Sequence, residues 1–194
     1  ARPLVYIEHT ALFPDINNGT VKAVVKIRNG TGRAHEGRIQ LQCSEVETGR
    51  KLEEVSLAFS LDKNMDSESF ETIYPMGESP ALWDEFNPHL YLMELELQSA
   101  DGRDNSQVQF GMREFKSEGR QFSINGRPLF LRGTLECAIF PLTGYPATSK
   151  EDWLKILRAA KSHGLNHLRF HSWCPPEAAF EAADILGVYL QVEC

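Results

Sequence analysis

Near residue 119 the spacing of apolar residues changes period, and that single change limits the possible folds more than any other feature of the chain. Before it, Val21, Ala23, Val25 and Ile27 alternate with Lys22, Lys26 and Arg28, the period-2 pattern of a strand with one buried face. Ile39, Leu41 and Cys43 repeat it, as do Leu57, Phe59 and Leu61, and then Tyr91, Met93, Leu95 and Leu97. Weaker runs at Val5 to Ile7, Phe70 to Tyr74 and Val108 to Met112 complete the set. Asn18-Gly19, Asn29-Gly30, Thr48-Gly49 and Asp101-Gly102 supply turns between them. Seven short strands punctuated this way predict an all-β, antiparallel immunoglobulin-like sandwich over residues 1–113. Only Cys43 lies in that half, so the inter-sheet disulfide of antibody domains has no partner cysteine there.

Residues 114–194 read differently. Gln121–Ile124, Asn125-Gly126 and Arg127–Leu131 predict a hairpin with a type I′ turn, because Asn-Gly tolerates the two positive φ angles. Thr148 with Glu151 suggests a capping box, after which Trp153, Ile156, Leu157 and Ala160 recur at helical spacing up to a stop at Gly164. Leu165 to His171 reads as a strand. Pro175-Pro176 opens a second helix through Phe180 and Ala183 to Gly187, and Val188 to Glu193 is a further strand. Strands alternating with helices across short joints predict an α/β segment with a parallel sheet, ending on a strand at the end of the chain.

Composition narrows the function. The balance of 20 Lys+Arg against 27 Asp+Glu, a formal charge of −7, argues against nucleic acid, whose phosphates require clustered basic residues. No apolar run approaches the ~20 residues that span a bilayer, so no membrane partner is expected, and Ala1-Arg2-Pro3 leads into strand without a signal peptide. Cys43, Cys137, Cys174 and Cys194 lack paired-ligand spacing, and no cofactor is indicated. The sequons Asn18-Gly19-Thr20 and Asn29-Gly30-Thr31 read better as turns, and His9, His35 and His89 as solvated residues.

At this level of detail the chain resembles glycoside hydrolase family 2, the family of β-galactosidases, β-glucuronidases and β-mannosidases. The first half carries Val5-Tyr6-Ile7-Glu8, Pro14-Asp15, Asn18-Gly19-Thr20-Val21, Leu82-Trp83, Asn87-Pro88-His89-Leu90-Tyr91 and Phe110-Gly111-Met112-Arg113. The second carries Phe122 through Asn125-Gly126-Arg127-Pro128 to Arg132-Gly133, Lys161 through Asn166 to Arg169, and Ala183-Asp184-Ile185-Leu186-Gly187-Val188-Tyr189. Their order and spacing carry the likeness. It implies that residues 1–113 are the family's sandwich and that 114–194 begin its (β/α)8 barrel, with three of the eight β/α units. The family's preceding sugar-binding jelly roll is expected to be absent from this chain.

The resemblance also implies retaining hydrolysis of β-linked sugars, which needs two carboxylates about 5–5.5 Å apart. In the family the acid/base glutamate follows an asparagine on the fourth barrel strand and the nucleophile sits on the seventh. No Asn-Glu dipeptide occurs in this chain, so both are expected beyond residue 194 and the fragment itself is expected to be inactive. A carbohydrate substrate is then the partner of the parent enzyme. Supporting residues do remain. Alternation places His167, Arg169 and His171 away from the helices, with Tyr189, Gln191 and Glu193 beside them. Arg169 matches a family arginine that orients a catalytic carboxylate; the alternative is an interior ion pair with Glu193. His171 and Trp173 lie where the family's Arg-x-Ser-His pattern is altered, so Trp173 either stacks on a sugar or packs the helix start. Glu136 and Glu193 sit at strand ends as auxiliary groups, and as an acid/base pair of their own they are disfavoured.

Two rival readings are a non-catalytic carbohydrate-binding module and a structural sandwich spacer. No row of exposed aromatics favours the first, and Arg169 with His171 disfavours the second. An unfinished barrel also leads to the expectation of self-association, through the free edge of the strand from Val188 to Glu193.

Overall fold

Beginning at a bulge in its first strand, the first half departs from simple alternation. The computed structural model describes residues 3–193; Ala1, Arg2 and Cys194, and with them the expectation of a leaderless start, lie outside the described residues. β1 (Val5–Asp15) pairs with β2 (Thr20–Asn29) along its whole length, and the register shifts between Ile7 and His9. The shift hides everything after Ile7 from a period-2 reading. The Ile7 N–H donates to Asp104 Oδ2 at 2.9 Å.

β3 (His35–Glu45), β4 (Val55–Leu61), β5 (Ser67–Pro75), β6 (Tyr91–Ser99) and β7 (Gly102–Phe110) complete the sandwich, all pairings being antiparallel. One sheet has the order β1-β2-β5 and the other β4-β3-β6-β7. The alternating residues read from the sequence form the buried layer: Val21, Ala23, Val25 and Ile27 from one sheet, and Ile39, Leu41, Leu61, Met93, Leu95 and Leu97 from the other. β7 starts earlier than its apolar residues suggest, because its inner positions include Asp104 and Ser106 and not only hydrophobes. Cys43 is a buried free thiol, and desolvation pushes its pKa up to about 12, which makes it an inert core residue.

His35 is not solvated as its sequence neighbourhood suggests. It is buried at the start of β3, with Nδ1 2.9 Å from Asp101 Oδ2 and Nε2 against Thr31 Oγ1. Two turns distant in sequence supply the polar partners that let an imidazole sit inside. Asn29 is likewise buried, its Nδ2 donating to the Arg33 carbonyl, as befits a turn residue.

A glycine in β3 marks the tightest approach in the sandwich. A Cβ at Gly37 would lie 2.2 Å from the Gln98 carbonyl oxygen and 2.7 Å from the Phe59 ring. Gly37→Ala is therefore expected to cost ~1–3 kcal/mol or more by overpacking against backbone. Amide hydrogen exchange of β3 and β6 checks this: unchanged protection there would mean the strands separate freely.

The second compact unit comprises Leu82–His89 with Arg113–Cys194, the first being Ala1–Ala81 with Leu90–Met112. β8 (Phe115–Glu118), β9 (Gln121–Ile124) and β10 (Arg127–Leu129) form an antiparallel sheet. Asn125 and Gly126 have φ of 52° and 75°, as a type I′ turn requires. β11 (Gly133–Glu136), α1 (Lys150–Ser162), β12 (His167–Phe170), α2 (Glu177–Leu186) and β13 (Tyr189–Val192) follow, the strands pairing in parallel in the order β11-β12-β13.

The cap of α1 falls one residue later than Thr148: Ser149 Oγ accepts the Asp152 N–H at 3.2 Å. Ser149–Asp152 has the same spacing as Thr148–Glu151, so sequence alone does not separate them. Gly164 (φ 76°) ends the helix as expected, with Leu165 N bonding Ala160 O and Gly164 N bonding Lys161 O. Trp153, Leu157, Leu168, Phe170, Ala179, Ala182, Ala183 and Val188 form the core between the two helices and the sheet. Neither helix is long and apolar enough to cross a membrane.

Candidate functional site

Three parallel strands end at one rim, and their register sorts the candidate residues between two faces. Leu135, Arg169 and Gln191 are partners across the sheet, as are Glu136, Phe170 and Val192 one step on. Paired residues of a parallel sheet share a face. Phe170 and Val192 pack with the helices, so Arg169 lies on the opposite face and Glu136 on the helix side. Glu193, one beyond Val192, returns to the face of Arg169.

The structure joins Arg169 to Glu193 directly, guanidinium Nη2 to Oε1. Glu193 Oε2 also accepts the Ser172 N–H at 3.3 Å. His171 is exposed just past β12, its backbone N–H donating to the Glu136 carbonyl at 2.9 Å. Glu136 is not brought to Glu193. Its Oε1 accepts the Ala138 N–H at 2.9 Å, while Oε2 is buried with no hydrogen-bond partner among the described residues. Trp173 packs edge-on against Phe170 (5.3 Å between centroids) and near Trp153 (6.4 Å), and its indole N–H donates to the Glu136 carbonyl.

Both rim loops carry strained backbone. Ala138 and Ser172, each two residues past a strand, have φ of 56° and 59°, an uncommon region for residues with a Cβ. Such strain collects where a loop geometry is fixed by its surroundings. No sequence signal marks either position, since neither is glycine or asparagine.

Burial raises the Glu136 pKa above the usual carboxylate range, against the N–H of Ala138 and the Trp173 indole, which lower it. The folded chain therefore holds this proton more tightly than the unfolded chain. Stability is undiminished below the unfolded value of about 4.3, falls as pH rises through the folded pKa, and stays lower above it. Asp184 shifts in the same direction by burial, with Arg113 opposing. Glu136→Gln is expected to raise the melting temperature at pH 7 relative to the parent chain and to lose that advantage near pH 4. A difference independent of pH would remove the buried carboxyl as its cause.

Several residues that build this unit carry no obvious chemical motif. Asn166, fully buried, accepts the Arg132 N–H through Oδ1 (2.7 Å) and donates Nδ2 to the Phe130 carbonyl (3.1 Å), fixing the entry to β11. Its own carbonyl accepts the Tyr189 N–H. Trp83 is fully buried, donates Nε1 to the Asp184 carbonyl at 2.7 Å, and lies beneath the Arg113 guanidinium at 4.5 Å. Tyr189 Oη donates to Glu85 Oε2 at 2.7 Å, and burial raises its pKa, with the Glu85 hydrogen bond adding to the shift. Lys161 Nζ donates to the Glu85 and Leu186 carbonyls, and desolvation lowers its pKa. Among the described residues no cluster of three His, Cys, Asp or Glu side chains is placed to hold a metal ion.

Comparison with known proteins agrees with this architecture. A solved family 2 glycosyl hydrolase from Bacteroides cellulosilyticus superposes with a TM-score of 0.85 at 20% identity, over 96% of this chain and 24% of that one. A Bacteroides uniformis β-glucuronidase gives 0.81 at 20% identity, over 98% and 24%. A β-galactosidase of Lactococcus lactis is 30% identical over 117 residues, 59% of this chain and 12% of its own length. The β-galactosidase large subunit of Latilactobacillus sakei is 23% identical over 195 residues, 100% of this chain and 29% of its own. The chain thus spans less than a third of the length of these relatives. The family model described as glycosyl hydrolases family 2 matches residues 5–113, more than half of the sequence. With the sandwich, the parallel rim and this match together, the chain belongs to glycosyl hydrolases family 2.

Proposed function

We propose that this chain supplies the sandwich and the first three barrel strands of a hydrolase that cleaves β-linked sugars with retention, and that both catalytic carboxylates come from outside these 194 residues. The observation that carries the reading is the position of Arg169, on the face away from the helices at the C-terminal ends of parallel strands; its ion pair with Glu193, the alternative raised from the sequence, engages Nη2. That rim is where barrel enzymes carry their sites. A guanidinium held there by one carboxylate keeps further N–H donors for a second, and orients it while favouring its ionised form. In this reading Arg169 is a positioning residue, Glu193 holds it, and exposed His171 meets the sugar. Glu136 and Trp173 fix the loop after β11 rather than touch the bond being broken.

Glu193 and Glu136 do not serve as the reacting pair. The first is engaged by Arg169 and the second lies on the opposite face. The test has two arms. The 194-residue chain should leave a panel of chromogenic β-glycosides at background. The full-length hydrolase should release the sugar with its anomeric configuration retained, followed by NMR. Turnover by the 194-residue chain that disappears in Glu193→Gln would overturn the proposal, as would inversion in the full-length protein.

A further inference from the structure

Three Asn-Gly pairs lie in turns of this chain: Asn18-Gly19, Asn29-Gly30 and Asn125-Gly126. A glycine after asparagine has no Cβ to shield its nitrogen from the amide side chain before it. Such a pair can close on itself. The glycine nitrogen attacks the asparagine Cγ, the new C–N bond completes a five-membered imide, and the Cγ–Nδ2 bond breaks. Ammonia leaves with the proton that the glycine nitrogen gives up. Water then opens the ring at either carbonyl and leaves aspartate or isoaspartate, with no change of oxidation state. The side chain must be free to turn onto the following nitrogen, so the hydrogen bonds at each pair decide its fate.

Two of the pairs are locked. Asn29 is buried; its Oδ1 accepts the Thr31 N–H (3.0 Å) and hydroxyl (2.7 Å), and its Nδ2 donates to the Arg33 carbonyl (2.8 Å). The nitrogen that would attack is also engaged, since the Gly30 N–H donates to the Leu4 carbonyl at 2.8 Å. Asn125 Oδ1 accepts the Glu114 N–H at 2.9 Å, and its Nδ2 donates to the Trp83 carbonyl at 3.1 Å. Both ends of each amide are held, so the local structure must open before either pair reacts.

Asn18 is different. It is exposed in the turn between β1 and β2, and its Nδ2 donates to Asp15 Oδ2 at 2.7 Å. Neither its Oδ1 nor the Gly19 N–H has a hydrogen-bond partner among the described residues. The turn cannot exchange Gly19 for a shielding side chain. Its φ is 62°, a Cβ there would lie 2.9 Å from the Gly77 carbonyl oxygen, and its own carbonyl accepts the Met76 N–H at 2.9 Å. The residue that makes Asn18 reactive is the one the turn requires.

We propose that Asn18 is a site of spontaneous modification, converted through the imide to aspartate and isoaspartate, while the fold protects Asn29 and Asn125. Conversion removes the Nδ2 donor from Asp15 and sets a second carboxylate against it. Isoaspartate also adds one carbon to the backbone between Asp15 and Thr20, which are partners in the β1–β2 ladder.

The test incubates the 194-residue chain in mildly alkaline buffer, folded and in guanidinium chloride, and maps its peptides by mass spectrometry over time. In the folded chain Asn18 should convert ~10-fold or more faster than Asn29 and Asn125, because every opening cost of about 1.4 kcal/mol slows a locked pair tenfold. In denaturant the three rates should converge, since glycine follows each asparagine. The product at position 18 should include isoaspartate, separated from aspartate by chromatography. Asn18→Gln should remain unmodified there, as its longer side chain would need a six-membered ring. Equal rates at the three pairs in the folded chain would overturn the proposal. So would an Asn18 that stays intact in the folded chain but converts in denaturant, or a product that is aspartate alone, formed without the ring.

Discussion

Trp83→Ala is expected to destabilise the second unit by about 3–5 kcal/mol, the range for deleting a fully buried large aromatic. The ring contributes in three ways besides its area. Its Nε1 satisfies the Asp184 carbonyl at the C-terminal half of α2. Its face lies under the Arg113 guanidinium at 4.5 Å, a cation–π contact worth ~0.5–1 kcal/mol or more. Its edge contact with Tyr189, 5.5 Å between centroids, joins it to β13. Trp83→Phe should recover most of the packing and lose the indole donor, leaving a deficit of ~1–3 kcal/mol for the unpaired carbonyl. Urea unfolding followed by tryptophan fluorescence measures this cleanly, because Trp83, Trp153 and Trp173 are the only tryptophans and all belong to the second unit. A midpoint unmoved by Trp83→Ala would show that the 82–89 segment is not part of that unit's core.

Arg169→Met in the full-length hydrolase should lower kcat by ~10²-fold or more, the loss typical of a positioned electrostatic group, with little change in melting temperature. The small thermal effect follows from exposure: the Arg169 and Glu193 side chains are 45% and 25% accessible, and pairs this open to water contribute roughly 0–1 kcal/mol. Kinetics and thermal unfolding on the same preparation separate the two roles. If activity survives, or vanishes only because the protein unfolds, Arg169 does no more than fill the barrel interior with its ion pair. Arg169→Lys keeps the charge but not the two-pronged geometry, so it should recover only part of the rate.

The candidate site was partly legible for a local reason. Alternation in His167–Phe170 and Tyr189–Val192 assigns side chains to faces whatever surrounds the strands, and it placed Arg169 and Glu193 together before their contact was known. The same rule could not assign Glu136 to a face, because Gly133–Glu136 is a four-residue run whose one large apolar side chain is Leu135, too short for alternation to be read. Nor does sequence reveal that Ala138 and Ser172 adopt left-handed backbone, which depends on the hydrogen bonds their loops make at the rim.

Local periodicity and turn chemistry by themselves determined the two kinds of architecture, most strands, the Asn125-Gly126 hairpin and the stop at Gly164. Each follows from interactions within a few residues: a pleat of period two, a helix of period 3.6, a positive φ that glycine tolerates. Tertiary structure alone decided where buried polar groups find partners. His35 is inside because Thr31 and Asp101 reach it, β7 begins at Gly102 beside inward Asp104, which receives the Ile7 N–H, and Trp83 joins the second unit through a carbonyl 101 residues away. A buried donor or acceptor must be paired wherever the chain can supply a partner. That condition acts through space, so it leaves no period in the sequence to read.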